Sequence, residues 1–583
     1  MPAILDSQQA ISTYLSVEAF ERFLGHPFNA DNPFSFPALM ALDENENFPH
    51  EQMARLNSWG LSHYYVPAEL GGKMRCYEEI CLLSLVLANR DMALAVSHNI
   101  TFLGCITVWL AKDTTVRASL ARQVLSGASV AFGLTEQAHG SDISRSDTCL
   151  SAPQGVLTLD GEKWAINMAS HCSGMTVFCR EQRAGEDLYS LVYFDKRQAV
   201  PGSYVHLPRI RTMGVRAAQI GGIRFSQAAL DPASRIGQAG DGLALALKGL
   251  ALSRSLITGM AIGTADRALR IALTLLTGRT LYGGLASDIA HVRHALTGAF
   301  VDLLVCQTLT MSVLRGIHVI PEQLSVTSAI VKYQVPALTE QIFDHLMFVM
   351  GSRAYFRQED DSGIFQKCFR DHRVMNIFDG SGAVNLDILA RQLPYLMRKR
   401  QRADAGLPYQ LCQLFSFGGQ LPEADLSRIA LHANGRDSCM AGVSQLETQI
   451  MAASGLSDAM RALLLHYQAQ ISLRIAALAT EVETSGSKAL FARSEQALAL
   501  ARQYCRLHAA TACCHAWLVN QGRWDPFFDR ADWLALALSR LLDMPPAPPS
   551  CYEQAYDFLT MLHQQHRLFS FFPLVLSDRP ADR

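Results

Sequence analysis

The sequence predicts an α+β protein: an N-terminal α-helical domain, an antiparallel β-barrel or sandwich as middle domain, a C-terminal four-helix-type domain and an additional helical extension. Three observations lead there. Helical periodicity from about Ser16 to Leu125 gives way between Ser129 and Ile236 to short strand-like runs, then returns from Gly237 to Arg400. Strands gathered in one block favour an α+β chain over alternating βαβ units. The 583 residues, 49% apolar and 18% charged, suffice for about three to five packed domains at roughly 100–200 residues each.

The expected domains are 1–127 (helical), 128–236 (β), 237–400 (helical), a linker at 401–425 and the extension at 426–583. In the first, Phe48–Pro49–His50–Glu51 opens a helix that Gly60 ends, Val66–Gly72 is a turn cluster, and a long helical pattern resumes at Tyr77. Met92–Ala111 carries no Asp, Glu, Lys or Arg and is long enough to span a bilayer. Its Ser97, His98, Asn99, Thr101 and Thr107 favour a buried helix instead. The strands are read at Val130–Thr135, Val156–Leu159, Lys163–Ile166, Met175–Cys179, Leu188–Phe194, Tyr204–Leu207 and Ile220–Phe225. The linker rests on Arg402, Asp404, Gly406, Pro408 and Pro422. In the extension, apolar residues from Met460 to Val482 step by three and four along one helix face, capped by Ser457 or Asp458. Helices follow around Ala489–Leu518 and Ala531–Leu542, and Pro545–Pro549 precedes a last one.

Composition excludes some functions. A formal charge of 51 − 53 = −2 leaves no surplus of Lys and Arg for a nucleic-acid partner. No Gly-x-Gly-x-x-Gly follows a strand and no Walker loop is present, so a Rossmann or P-loop site is unsupported. The 14 scattered cysteines without a CxxC pair, and no targeting pattern in Met1–Ala10, suggest reduced thiols and a cytoplasmic location. Cys505, His508, Cys513, Cys514 and His515 lie along one apparent helix. A straight helix cannot wrap four of them around one zinc, so no metal is expected there.

The most informative string is Ala131–Phe132–Gly133–Leu134–Thr135–Glu136–Gln137–Ala138–His139–Gly140–Ser141–Asp142. It is a strand feeding a small turn, with N–H and hydroxyl groups to offer a polar heterocycle. Taken alone it is any strand–turn. After it come Asp160–Gly161–Glu162–Lys163–Trp164–Ala165–Ile166–Asn167, then Met213–Gly214–Val215–Arg216, Gly237–Gly242, Arg279–Thr280–Leu281–Tyr282–Gly283, and Phe369–Ser381. In order, spacing and helix–strand–helix layout the set resembles the acyl-CoA dehydrogenase family over roughly residues 15–400.

The resemblance implies FAD as cofactor, held between the β-domain and the C-terminal helices. Phe132, Leu134, Thr135, Gly140 and Ser141 would line the flavin ring, and Ala165, Ile166 and Asn167 its N5 edge. Arg279 and Tyr282 would reach the FAD of a neighbouring subunit. Gly351, Ser352, Ser381 and Ala383 would complete the cradle. Ser141, Arg254, Phe378 and Gly380 would border the substrate, an acyl thioester of CoA or of acyl carrier protein. The family's reaction removes hydrogens from Cα and Cβ, a carboxylate taking the α-proton while the β-hydrogen leaves as hydride. Asp379 stands where the family usually has Glu. Its backbone N–H would help hold the thioester oxygen.

A carboxylate one C–C bond (about 1.5 Å) shorter matters, because a misplacement of about 1 Å can cost on the order of 100-fold. Three readings stay open: backbone compensation, a substrate with a more acidic proton as in the nitroalkane oxidases, or lost chemistry with a scaffold role. Ser253, where some relatives carry the base, offers no substitute. Ala165–Ile166–Asn167 replaces a common Trp–Ile–Thr, and Trp164 comes one residue early, on the opposite face of a continuous strand. That change leaves either electron-transfer flavoprotein or oxygen as electron acceptor. Ala251 stands where some relatives are acidic, and His139 replaces a small loop residue. The extension resembles that of the very-long-chain acyl-CoA dehydrogenases, which implies a homodimer. Its Phe569, Phe571, Phe572, Leu574 and Val575 are expected to pack on the body.

Overall fold

The computed structural model describes residues 7–111, 114–152, 155–183, 186–357, 361–399, 406–491 and 494–578. Its α-helices in chain order are α1 (Ser7–Leu24), α2 (Phe36–Glu44), α3 (His50–Trp59), α4 (Tyr77–Arg90), α5 (Met92–Ala111), α6 (Thr114–Leu125), α7 (Gly242–Leu256), α8 (Thr258–Gly278), α9 (Ala290–Val319) and α10 (Leu324–Met350). Then come α11 (Asp361–His372), α12 (Gly382–Lys399), α13 (Leu407–Phe415), α14 (Ser438–Ala441), α15 (Val443–Ala452), α16 (Asp458–Phe491), α17 (Glu495–Val519), α18 (Pro526–Asp529), α19 (Asp532–Leu541) and α20 (Pro549–Gln564). The strands are β1 (Val130–Gly133), β2 (Cys149–Ser151), β3 (Leu157–Asn167), β4 (Gly174–Arg183), β5 (Glu186–Asp195), β6 (Tyr204–Leu207), β7 (Ile220–Leu230), β8 (Arg235–Ile236), β9 (Thr280–Leu281) and β10 (Gly284–Leu285).

The chain forms two compact units, and neither follows the expected domain boundaries. One comprises Pro37–Cys76 and Asp91–Ser253. The other comprises Met1–Phe36, Tyr77–Arg90 and Arg254–Arg583. The first helices are divided between the two because α4 is buried at all but one of its 14 positions and packs against α8. Such a helix has no solvent face to serve as the wall of a separate domain.

In the first of these units an eight-stranded sheet runs β6–β7–β3–β2–β4–β5–β8, with β1 also on β4. Five pairings are antiparallel; β1 and β2 each run parallel to β4, which makes the sheet mixed. The two runs expected at Val156–Leu159 and Lys163–Ile166 are one strand, β3, because Asp160–Gly161 is absorbed as an irregularity in the register with β7. Helix α5 is the uncharged segment Met92–Ala111, and it is largely buried within this unit. It lies close on β1: a Cβ on Gly104 would meet the Val130 carbonyl oxygen at 2.5 Å, so only glycine fits. Two further stretches, Gly242–Gly278 and Ala290–Val319, are also long and apolar enough to cross a membrane and are 89% and 100% buried over their most apolar window.

The other unit is built on α8, α9 and α10. Gly259 and Gly263 let α8 approach α4; a Cβ on Gly263 would meet the Leu85 carbonyl oxygen at 2.1 Å. The stretch read as a linker carries α13, whose Leu407, Leu411, Leu414 and Phe415 are buried, a 4–3–1 spacing that marks one apolar face. Residues 401–405 of that stretch lie outside the described residues. Arg315 on α9 binds the Gln413 and Gly419 carbonyls at 2.6 and 3.1 Å and Glu78 at 2.8 Å. In the extension, Ser457 caps α16 through Met460 N–H at 3.2 Å, and Leu464, Tyr467, Ile471, Ile475, Leu478 and Val482 are buried. Phe569, Phe571, Phe572 and Leu574 are buried while Val575 is 48% exposed. Cys505, Cys513 and Cys514 are buried on α17, and burial pushes their thiols up. His508 instead meets Asp437 at 2.9 Å. Asp437 and Cys439 approach it with ligand-type atoms within 4.8 Å, yet the Asp437 carboxylate already accepts from Tyr504, His508 and the Met440 N–H.

Candidate functional site

The strand–turn at 131–142 is held by a buried ion pair. Phe132 on β1 is buried, Leu134 and Thr135 are half-buried, and Gly140 and Ser141 are exposed at the turn. Beneath them Glu136 (7% exposed) accepts from Lys163 Nζ at 2.6 Å, Ser146 Oγ at 2.6 Å, Thr148 Oγ1 at 2.7 Å, and the N–H groups of Asp147 and Thr148 at 2.7 and 3.1 Å. Burial raises the Glu136 carboxyl, but Lys163 and the hydroxyls outweigh it and bring it down to about 2. The carboxylate therefore staples residues 146–148 to the end of β1 and fixes the turn that carries Ser141. His139 contributes from the side, with Nε2 2.8 Å from the exposed Asp147 carboxylate.

The N5-edge candidates occupy a β-bulge. Register with β7 slips between Lys163 and Ile166, and Ala165 takes a left-handed φ of +56°, the geometry of an extra residue in one strand. Lys163 and Ile166 are both buried although three apart. The period of two is thus broken, so the opposite-face argument for Trp164, which needs a continuous strand, does not apply. Ala165 is exposed and Trp164 half-buried. Asn167 donates to the Val96 carbonyl at 2.8 Å, while its Oδ1 is buried without a partner. An orphaned buried acceptor beside an exposed small residue suits a ligand N–H.

In the other unit the proposed base lies on a strained turn. Asp379 has φ +53° and Gly380 φ +94°; such angles cost a non-glycine residue about 1–2 kcal/mol. The turn is gripped from both sides. Arg254, 6% exposed, donates from Nε to the Asp379 carbonyl at 2.7 Å. Asn385 donates to the Gly380 and Ser381 carbonyls, each at 2.9 Å. Gly380 is required by space as well as by φ: a Cβ there would stand 2.8 Å from Arg254 Nη2. Ser381 precedes α12 and its Oγ accepts from Val384 N–H at 3.4 Å. Phe378, Asp379 and Gly380 are half-buried, and Ala383 is exposed.

Arg279 and Tyr282 belong to the β9–β10 hairpin. Tyr282 and Gly283 form its tip with φ +54° and +85°, the two positive angles of a type I′ turn. Tyr282 is 98% exposed, and Arg279 is half-buried. Gly351 and Ser352 are exposed just after α10. Arg254, Phe378, Asp379, Gly380 and Ser381 are thus brought together by the fold. Three residues of weight were not singled out from the sequence as site residues: Glu136 with its partner Lys163, and Lys332, a buried lysine on α10 bonded to the Met375 carbonyl. Lys332 directly follows Ile330–Val331, a charge after an apolar run that is the signal that could have found it; Lys163 follows Asp160–Gly161–Glu162 and carries no such signal.

Residues 131–228 match the acyl-CoA dehydrogenase middle domain, and residues 240–393 match the acyl-CoA dehydrogenase C-terminal domain. The chain therefore carries acyl-CoA dehydrogenase middle and C-terminal domains. The mitochondrial short-chain specific acyl-CoA dehydrogenase of Bos taurus is 23% identical over 365 residues, covering 61% of this chain and 86% of that one. Among solved structures, the glutaryl-coenzyme A dehydrogenase glutaryl-CoA complex superposes with a TM-score of 0.59 at 18% identity, over 67% of this chain and 96% of that one. A prolyl acyl carrier protein oxidase superposes with a TM-score of 0.58 at 17% identity, over 67% and 99%. These two likenesses speak for the fold.

Proposed function

We propose that the protein is an FAD-dependent dehydrogenase of an acyl thioester, acting on its Cα–Cβ bond with Asp379 as the α-proton acceptor. The observation that carries this is the Asp379 turn: a carboxylate residue held at φ +53°, with its carbonyl fixed by a buried arginine at 2.7 Å, at the family's base position. A backbone locked this firmly fixes where the carboxylate starts, so that the catalytic distance depends on few torsions. The Asp379 N–H is a donor for the thioester oxygen, on which charge develops as the α-proton leaves.

The orphaned Asn167 Oδ1 and the exposed bulge at Ala165 fit a flavin, with Thr135, Ser141 and Ile166 beside them to hold it. FAD, when bound, supplies the hydride acceptor. Arg279 and the exposed Tyr282 tip serve the cofactor of a second subunit in a homodimer. Asp379→Asn tests the assignment: bound FAD is retained, and bleaching of its absorbance by substrate slows on the order of 10²–10⁴-fold, the range of general-base contributions. Undiminished bleaching removes Asp379 from the role. The carrier is decided by turnover of matched CoA and carrier-protein thioesters, and the electron acceptor by hydrogen peroxide formed in air.

A further inference from the structure

Lys332 is a buried cation with no part in the proton transfer above. It lies on α10, 1% exposed. Its Nζ donates to the Met375 carbonyl and stands 5.3 Å from the centre of the Phe378 ring. Apart from burial, the strongest influence on it is the negative charge of Asp379, followed by Arg254 and Glu340. Burial also dominates Arg254, with Asp379 the one charge opposing it. His372 is a further titratable neighbour. It feels Lys332 and Arg373, and burial brings it down to about 3, so it is neutral.

Burying an ammonium costs several kcal/mol. A neutral amide donor would hold the Met375 carbonyl without that cost. What only the charge supplies is attraction for a carboxylate and for the face of the Phe378 ring, the residue next to Asp379. The two cations also grip the chain four residues apart, at the carbonyls of Met375 and Asp379, with Phe378–Asp379 bracketed between them. We propose that Lys332 is a positioning residue for Asp379: together with Arg254 it holds the turn and keeps the carboxylate ionised and ready to accept a proton. The role in catalysis rests on Asp379 being the proton acceptor; the pairing of the two charges does not.

The experiment has two arms. The first needs no substrate. Melting temperatures of the wild type, Lys332→Gln, Asp379→Asn and the double variant are measured between pH 5 and 9. Lys332→Gln keeps a donor for the Met375 carbonyl and removes the charge. Coupled charges make its effect smaller once Asp379→Asn is present, and additive effects at every pH overturn the proposal. The second arm follows flavin reduction against pH. Lys332→Gln moves the acidic limb up by one pH unit or more, and Lys332→Arg moves it back. An equal loss at every pH with the limb in place marks a merely structural residue and overturns the proposal. A wild-type flavin that no thioester reduces defeats the dehydrogenase reading alone, since the first arm still decides whether Lys332 and Asp379 are paired.

Discussion

Replacing Lys163 with Met tests whether the Glu136 staple fixes the turn. The substitution removes an ammonium 2.6 Å from a buried carboxylate and leaves Ser146, Thr148 and the Asp147 and Thr148 N–H groups in place. Breaking a buried pair costs about 3–5 kcal/mol; with four donors remaining, the lower end applies. About 3 kcal/mol is roughly a 150-fold change in an opening equilibrium. Hydrogen exchange read by mass spectrometry on peptides spanning 134–150 measures it directly, because the Asp147 and Thr148 amides are bonded to the carboxylate itself. Arg224→Ala is the control. It deletes a contact at 2.8 Å to Glu162, the neighbour of Lys163 on β3, but with side chains 56% and 33% exposed, and such pairs contribute about 1 kcal/mol or less. A roughly 100-fold loss of protection in Lys163→Met against little change in the control is expected. Less than a threefold change in Lys163→Met refutes the staple.

Gly380→Ala places a Cβ 2.8 Å from Arg254 Nη2 at φ +94°. It lowers stability by about 2 kcal/mol through the left-handed backbone alone, and the displaced arginine slows flavin reduction on the order of 10-fold or more in stopped flow. Lys332 is brought by burial from 10.5 to about 8. The unfolded chain therefore keeps this proton to higher pH than the folded one, and stability rises between pH 8 and 10.5. At about 1.4 kcal/mol per unit that is roughly 3 kcal/mol, and Lys332→Met removes the rise from melts at pH 8 to 10. Asp578 is raised by burial, but Arg267 and Arg270 outweigh this and bring it from 3.8 down to about 2. Its contribution is complete above pH 3.8 and is lost as pH falls through about 2; Asp578→Asn removes about 3 kcal/mol at pH 7, read as a lower melting temperature.

Elements whose signal is local were legible in the sequence. Gly60 ends α3 at φ +89°, Tyr204–Leu207 is β6 to the residue, and the α16 face from Leu464 to Val482 is buried as its spacing indicates. Long-range pairing was not. Nothing local tells that β1 and β2 run parallel to β4: β1 is buried at all four positions, and a short continuous apolar run names neither its partner nor its direction. The β3 bulge escaped for a related reason: Ala165 at φ +56° is not a glycine and carries no turn signature. Asp379 was found through its neighbours in sequence, Phe378 and Gly380. Lys332, 47 positions earlier by number, comes to it only through the packing of α10.

The extension is more than an added layer, and the charges on α8 show why. Asp266, Arg267 and Arg270 are 0%, 4% and 4% exposed, which a helix at a free surface would not permit. Their partners come from both ends of the chain. Asp578 lies 3.2 Å from Arg267 and 3.9 Å from Arg270. Arg270 donates to the Arg567 carbonyl at 2.6 Å, and Asp266 accepts from Phe569 N–H at 2.8 Å. Glu21 on α1 meets Arg90 at 3.5 Å and accepts from Ser577 N–H at 2.8 Å. Glu21, Asp266 and Asp578 thus stand against Arg90, Arg267 and Arg270, three acids and three arginines in one buried cluster. The balance holds only with the final segment in place: without Asp578 the cluster carries a net positive charge, and two arginines lose acceptors that water cannot replace in the interior. Residues of the catalytic body are therefore chosen for the presence of the extension. Its loss destabilises α8, the helix that leads directly from Arg254 to the Arg279–Tyr282 hairpin.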